Sequence, residues 1–99
     1  MTAADVLRKA LETYEQRNLV YNDNYVRLGL VMQALFPDGL TIKYAKDWER
    51  LYALLMIQVK QTRYVEQWQN GGHPDSSIDT AVYAALQKEI DDDGSPTGL

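Results

Sequence analysis

Apolar residues recur at helical spacing in four segments of the chain, and short polar or glycine-containing stretches separate these segments. The first segment places five apolar side chains on one face of an α-helix: Val6, Leu7, Ala10, Leu11 and Tyr14. Thr2 and Asp5 stand before this pattern with the spacing of a capping box, in which Asp replaces the usual Glu or Gln. The pattern predicts a first helix over about residues 3–17.

The second segment begins after a polar break over residues 18–24. Asp23 or Asn24 is a suitable N-cap for a second helix. The apolar stripe that follows consists of Tyr25, Leu28, Met32 and Leu35. Pro37 blocks continuation of this helix, and the Asp-Gly pair after it favours a turn.

The third segment is the longest, and the chain offers starts for it between Thr41 and Asp47. Its apolar face consists of Trp48, Leu51, Leu55, Val59 and Thr62. The helix is predicted to end near Gln69, because the two glycines at 71 and 72 adopt the left-handed cap conformation readily. A fourth helix is predicted over about residues 75–91, with four apolar residues at i+4 steps: Ile78, Val82, Leu86 and Ile90.

Four helices with short connections, and no segment of period-two alternation, predict an all-α fold. We expect an antiparallel four-helix bundle with one long central helix over residues 1–91, and a disordered acidic C-terminal tail over residues 92–99. The long helix exceeds its neighbours, so an irregular monomer and a homo-oligomer both remain open. The oligomer would use aromatic side chains of that helix: Trp48, Tyr52, Tyr64 or Trp68.

The composition is that of a soluble globular domain, with 45% hydrophobic and 24% charged residues among 99. The absence of cysteine excludes disulfides and thiol nucleophiles. No apolar run is long enough for a membrane helix, and the first residues lack the pattern of a signal peptide. We therefore expect a cytoplasmic protein that does not contact a membrane.

The net charge of −4 is distributed unevenly along the chain. Residues 91–93 supply three of the 14 acidic residues, which leaves 11 acidic against 10 basic residues in positions 1–90. No stripe rich in lysine or arginine exists, so duplex nucleic acid is not an expected partner. The nearly neutral body leaves a small phosphorylated ligand open.

The densest group of polar residues lies at the start of the fourth helix. Asp75 and Asp79 are one turn apart and share a helical face with Tyr83. Together with His73, this pair of carboxylates could hold a hard cation or orient a water molecule. The alternative is ordinary helix capping by Asp75 and Ser76, with His73 exposed.

Two further groups suit an anionic ligand. Lys60 and Arg63 lie three residues apart on the third helix beside Tyr64, and such cations bind phosphate oxygens. Ion pairs of these cations with Asp79 or Glu12 are the structural alternative. The second group surrounds the start of the second helix, where free amides favour anions or the tyrosines face the core: Tyr21, Asp23, Asn24, Tyr25 and Arg27.

The spacing Lys60-x-x-Arg63, followed by His73-x-Asp75-Ser76-x-x-Asp79-x-x-x-Tyr83, resembles a family of small phage and prophage proteins of unassigned function. The resemblance extends over about residues 13–90 and includes the runs 21–27 and 34–40. That family is similar to MazG-like all-α nucleotide pyrophosphohydrolases, which are usually oligomeric and hold Mg²⁺ with E-x-x-E and a later E-x-x-D. Glu12-Thr13-Tyr14-Glu15 matches the first motif, and the second motif is not matched.

The leading hypothesis is therefore a phage-encoded protein in the cytoplasm of an infected bacterium that binds a nucleotide-like ligand without catalysis. Sequestration of a host immune signal, an anti-defence activity, is one use of such binding. We expect a homo-oligomer that requires no cofactor. The candidate ligand-binding residues are Tyr21, Asp23, Asn24, Tyr25, Arg27, Lys60, Arg63, Tyr64, His73, Asp75, Ser76, Asp79 and Tyr83.

Two alternatives remain open at this stage. The first is a Mg²⁺-dependent, MazG-like nucleoside triphosphate pyrophosphohydrolase, in which the metal is held by Glu12, Glu15, Asp75 and Asp79. The second is an inhibitor of a host protein by direct contact, in which the aspartates at 91–93 grip a basic partner.

Overall fold

The computed structural model describes residues 1–21 and 23–94, except for the side chains of Val20 and Tyr21. Within this range the chain is helical and contains no strand. The elements are α1 (Ala3–Tyr21), α2 (Asn24–Leu35), α3 (Ala45–Glu66), a 3₁₀ turn (Trp68–Asn70) and α4 (Ser76–Asp92).

The four predicted helices are confirmed, with α1 extending four residues further than the periodicity indicated. The predicted boundary between domain and tail falls in the last turn of α4, and most of the predicted tail, residues 95–99, lies outside the described residues. None of the described helices combines the length and apolar character needed to cross a bilayer.

Side chains near the helix starts satisfy backbone groups that the helices leave unpaired. The predicted capping box of α1 is present, because the Asp5 N–H donates to Thr2 Oγ1 over 3.2 Å and the Thr2 N–H donates to Asp5 Oδ2 over 3.0 Å. At the start of α3, Asp47 Oδ2 accepts hydrogen bonds from the backbone N–H groups of Tyr44 and Lys43 at 3.0 and 3.2 Å. These two bonds hold the pKa of Asp47 below its ordinary value.

The start of α2 differs from its prediction. Asp23 occupies the N-cap position, but its side chain makes no capping hydrogen bond. Its backbone lies in the left-handed region, at φ 56° and ψ 41°, instead of the extended conformation of a usual N-cap. The Asp23 N–H donates instead to Asn18 Oδ1 of α1 over 2.9 Å, so the turn is fixed by the preceding helix.

The helices α3 and α4 form an antiparallel hairpin that is the best-packed part of the chain. Side-chain contacts join the two helices along their whole length. Residues with increasing numbers on α3 contact residues with decreasing numbers on α4, so the helices are antiparallel. The cross-helix pairs are Lys46 with the Asp93 carbonyl, Arg50 with Asp91, Tyr52 with Tyr83, Lys60 with Asp79, and Gln61 with Thr80.

The turn between α3 and α4 depends on two glycines in the left-handed region, Gly71 at φ 88° and Gly72 at φ 89°. The Gly72 N–H donates to the Gln67 carbonyl over 2.8 Å and so closes the end of α3. A Cβ atom on Gly72 would lie 2.4 Å from Cε2 of Tyr64, whereas a Cβ on Gly71 would meet nothing within 4 Å. The ring of Tyr64 therefore lies directly against the turn.

The helices α1 and α2 are held less tightly. On α2, the Asn24 amide donates to Thr62 Oγ1 over 3.0 Å, and Arg27 Nε lies 3.1 Å from Glu66 Oε1. The helix α1 touches α3 at only a few positions. One chain thus presents a hairpin with two attached helices, and the closed four-helix bundle stays a prediction.

The interior is very small for a chain of this size. Ala53 is the sole buried hydrophobic residue in the described part of the chain, and the polar Thr62 and Ser76 are buried with it. The accessible surface is 7457 Å². A folded monomer of this mass exposes about 5,700 Å², so roughly 1,700 Å² is in excess. The apolar stripes of α1 and α4 remain largely in contact with solvent, whereas the stripe of α3 beyond Trp48 is half-buried or buried.

Replacement of Gly72 is expected to destabilise the chain more than replacement of Gly71. Both changes to Ala carry the cost of a left-handed non-glycine residue, about 1–2 kcal/mol. Gly72→Ala adds a clash with the Tyr64 ring, which costs roughly 1–3 kcal/mol more in the free energy of unfolding. Urea denaturation of the two variants measures the difference, and equal losses would contradict the contact with Tyr64.

The Asp47 interaction predicts a pH-dependent stability. Because the pKa of Asp47 is lowered on folding, its stabilisation is present above the ordinary value of 3.8 and is lost as the pH falls through the lower folded value. Asp47→Asn should lower the Tm at neutral pH, and its difference from the wild type should shrink in acid. Asp38→Asn, in the exposed turn after α2, is the charge-matched control and should show neither effect.

Candidate functional site

An open groove of about 720 Å³ separates α1 from the start of α2 and the C-terminal half of α3. One wall is a single face of α1, built from Val6, Lys9, Ala10, Thr13, Tyr14, Arg17 and Asn18. The other wall consists of Asp23, Asn24, Tyr25, Leu28, Val59 and Arg63, and Met1 closes one end. The groove exists because α1 leaves the hairpin instead of packing along it.

The groove is cationic although the chain is acidic. Its lining includes Lys9, Arg17 and Arg63, and Asp23 is the single carboxylate among the lining residues. The lining side chains therefore carry a formal charge of +2, in a chain whose net charge is −4. A concave surface of one sign concentrates ligands of the opposite sign.

Two tyrosines accompany these cations. Tyr14 lies on the α1 wall and Tyr25 on the opposite wall, and both side chains are more than half exposed. Exposed aromatic faces next to guanidinium groups suit a ligand that has a flat ring and an anionic group.

Asn24 contributes a polar atom without a partner to the wall of the groove. Its Nδ2 donates to Thr62 Oγ1, and the Thr62 hydroxyl is in turn within 2.8 Å of the Gln58 carbonyl. The Asn24 Oδ1 atom is buried and accepts no hydrogen bond. Buried polar atoms are nearly always paired, so this oxygen is an exception. It has almost no accessible surface, so a ligand in the groove cannot contact it directly.

The structure brings four of the thirteen predicted ligand-binding residues to this groove: Asp23, Asn24, Tyr25 and Arg63. The side chain of Tyr21 lies outside the described residues. Arg27 does not line the groove and instead pairs with Glu66, whose side chain is almost fully buried. Arg27 therefore neutralises a carboxylate that would be costly to bury alone.

The remaining predicted residues belong to the hairpin and its turn. Lys60 Nζ lies 3.2 Å from Asp79 Oδ2, which is the ion pair of the structural alternative. Tyr83 packs edge-on against Tyr52 with ring centroids 5.9 Å apart, and a hydrogen bond with Tyr83 raises the pKa of Tyr52. Tyr64 packs in the same way against Trp68, at 6.0 Å.

The start of α4 is fixed by a histidine–serine contact. Ser76 is fully buried, and its Oγ lies 2.9 Å from His73 Nδ1. His73 is half-buried, so the interpretation that left it exposed is wrong. Asp75 occupies the N-cap position and is exposed, but its side chain makes no capping hydrogen bond. These residues shape the turn and do not line the groove.

The four carboxylates of the predicted Mg²⁺ site do not gather in the part of one chain that the structure describes. No group of three or more His, Asp or Glu side chains there is close enough to hold a metal ion. Glu12 and Glu15 are exposed and lie outside the groove lining, and Asp79 pairs with Lys60.

The aspartates at 91–93 contact basic residues of their own chain. Asp91 lies 3.4 Å from Arg50, and Asp92 lies 2.8 Å from Lys88. Asp91 and Asp92 are in the last turn of α4, where the helix dipole disfavours negative charge. The basic neighbours offset this effect, so these acids already have a structural role.

Sequence analysis did not identify the α1 wall of the groove. Lys9, Thr13 and Arg17 are four residues apart and share one face, a spacing that could have indicated a polar site. Tyr14 was assigned to the core because its apolar neighbours suggested a buried stripe. Only the position of α1 relative to α2 shows that this face borders a cavity.

No family model, curated protein or solved structure matches the chain. The function is therefore inferred from the geometry of the groove and of the helices around it.

The contact that joins α2 to α3 is expected to stabilise the second wall of the groove. Thr62→Val removes the buried acceptor of the Asn24 amide and should lower the free energy of unfolding by about 1–3 kcal/mol. Thr80→Val removes a hydroxyl that accepts from the Gln61 amide at the surface and donates to the Ser76 carbonyl one turn earlier in α4, and it should cost about 1 kcal/mol or less. Chemical denaturation compares the two, and an equal cost would contradict the role of the Asn24–Thr62 contact.

Proposed function

We propose that the protein binds a small anionic ligand with a flat ring, of the nucleotide class, in the groove between α1 and the α2–α3 pair. The observation that carries this proposal is the lining of the groove, which combines a formal charge of +2 with two exposed tyrosines. Its volume of about 720 Å³ lies within the usual range of small-molecule sites.

Each part of such a ligand has a matching group in the groove. The guanidinium groups of Arg17 and Arg63 and the ammonium of Lys9 suit phosphate oxygens. Tyr14 and Tyr25 stand on opposite walls and would contact the faces of a base.

Binding without turnover is the chemistry that we propose. Hydrolysis of a nucleoside triphosphate by a MazG-like enzyme needs a metal held by several carboxylates. Asp23 is the single carboxylate that lines the groove. Together with the resemblance to phage proteins, this favours sequestration of a nucleotide signal in the cytoplasm of an infected bacterium. We also propose that the protein acts as a homo-oligomer, since a single chain buries so little of its apolar surface.

Isothermal titration against linear and cyclic nucleotides should detect a ligand of this class. Arg17→Gln and Tyr25→Ala should each raise its Kd at least about tenfold, which corresponds to roughly 1.4 kcal/mol of binding energy. Arg8→Gln and Tyr44→Ala change the same residue types at exposed positions outside the groove and should leave the Kd unchanged.

Titration with the matching nucleosides distinguishes the contribution of the cations from that of the tyrosines. The nucleosides lack phosphate and should bind much more weakly, and nucleotide binding should weaken as salt screens the cations. Folded wild-type protein that binds no nucleotide of the panel would overturn the proposal. Equal weakening by the groove variants and their controls would show that binding occurs elsewhere.

A further inference from the structure

The α3–α4 hairpin carries an apolar surface that no described part of the chain covers. We call it the hairpin face, and it consists of Trp48 and Tyr52 on α3 with Ile78, Val82 and Leu86 on α4. These side chains are 37–69% exposed. Trp48, Tyr52 and Leu86 line one groove, and Val82 and Ile78 extend it by one and two turns of α4.

The size of the uncovered surface indicates what covers it. The chain as a whole exposes roughly 1,700 Å² more than a folded monomer of its mass, and the hairpin face is one part of this excess. A standard interface buries about 800 Å² on each partner, so the excess is large enough to include one. The lack of buried apolar surface is a property of the whole fold, since Ala53 is the one buried hydrophobic residue among those described. A surface that must be covered whenever the chain is folded needs a partner that is present at the same concentration. A second copy of the chain always meets this condition.

We propose that two copies of the chain pair through the hairpin face. The helices α3 and α4 of each copy would then form a four-helix bundle, with the five residues of the hairpin face in its core. None of these five side chains is charged, so two identical hairpin faces can pack against each other without burying a charge. The predicted bundle would arise between chains instead of within one.

The charges beside the hairpin face favour an antiparallel pair. Glu49, Glu89, Asp92 and Asp93 line the groove at its Trp48 end, and no lysine or arginine lines it. A two-fold axis across the hairpin places the acidic ends of the two copies far apart, whereas a parallel pair would bring them together. No residue of the hairpin face lines the ligand groove, so this inference stands independently of the proposed ligand.

The first test compares two valines of similar exposure. Val82 on the hairpin face is 53% exposed and Val65, outside it on α3, is 46% exposed. Sedimentation and light scattering at about 10–100 µM measure the mass, because the dissociation constant of an interface of standard size lies below this range. The wild type and Val65→Glu should both have the mass of a dimer. Val82→Glu should raise the dissociation constant at least about 100-fold, because each interface would bury two unpaired charges.

The second test does not alter the helix surface at Val82 and applies even if that variant fails to fold. Trp68→Phe leaves Trp48 as the single tryptophan, and Trp48→Phe leaves Trp68. Both indoles are more than 60% exposed in one chain. In the dimer the emission of Trp48 should shift to the blue and resist quenching by iodide, whereas Trp68 should keep the spectrum of an exposed indole.

Three results would overturn the inference. A wild type that is still monomeric at about 100 µM, a concentration well above the dissociation constant of a stable dimer, shows that no second copy covers the hairpin face. A dimer in which Trp48 remains fully quenchable uses another surface. Loss of the dimer in Val65→Glu but not in Val82→Glu places the interface elsewhere on α3. No residue of the hairpin face lines the ligand groove, so the ligand site and this interface fail separately. A monomeric wild type would in addition overturn the proposed homo-oligomer.

Discussion

The antiparallel pairing of α3 with α4 is the interaction on which the rest of the structure depends. Polar contacts and one edge-on aromatic pair join the two helices at intervals, from Lys46 near one end to Lys60 and Asp79 near the other. A large apolar interior is absent from the described part of the chain, so the hairpin positions every other element while leaving its own apolar stripes exposed. Both the groove and the hairpin face result from this arrangement.

The ligand groove depends on a helix that the hairpin does not hold closely. The turn at Asp23 sets the direction of α1, because its left-handed backbone and the bond from Asn18 determine how the chain passes into α2. The α2 wall is anchored separately by Asn24 on Thr62 and by Arg27 on Glu66.

Sequence reasoning succeeded where the physical cause lies within a few residues. The capping box of Thr2 and Asp5, the stop at Pro37 and the glycine turn at 71 and 72 are all local, and each is present. It was less successful with the site, because charge pairing acts between distant segments. The ion pair of Lys60 with Asp79, 19 positions away, is one of two alternatives that the sequence leaves open, and only the structure shows that it forms.

The sequence by itself determined the four helices and most of their ends, since helical periodicity, caps and breakers act through neighbouring backbone groups. The exceptions are α1, which extends four residues beyond its predicted end, and α3, which ends at Glu66 instead of near Gln69. It also determined the amount of apolar surface that has to be buried. Only the tertiary structure decided which faces meet, and it left the stripe of Ile78 and Val82 exposed while it placed Arg17 across a groove from Tyr25. The reason is that packing depends on the relative positions of whole helices, and the periodicity of one helix carries no information about where its neighbour lies.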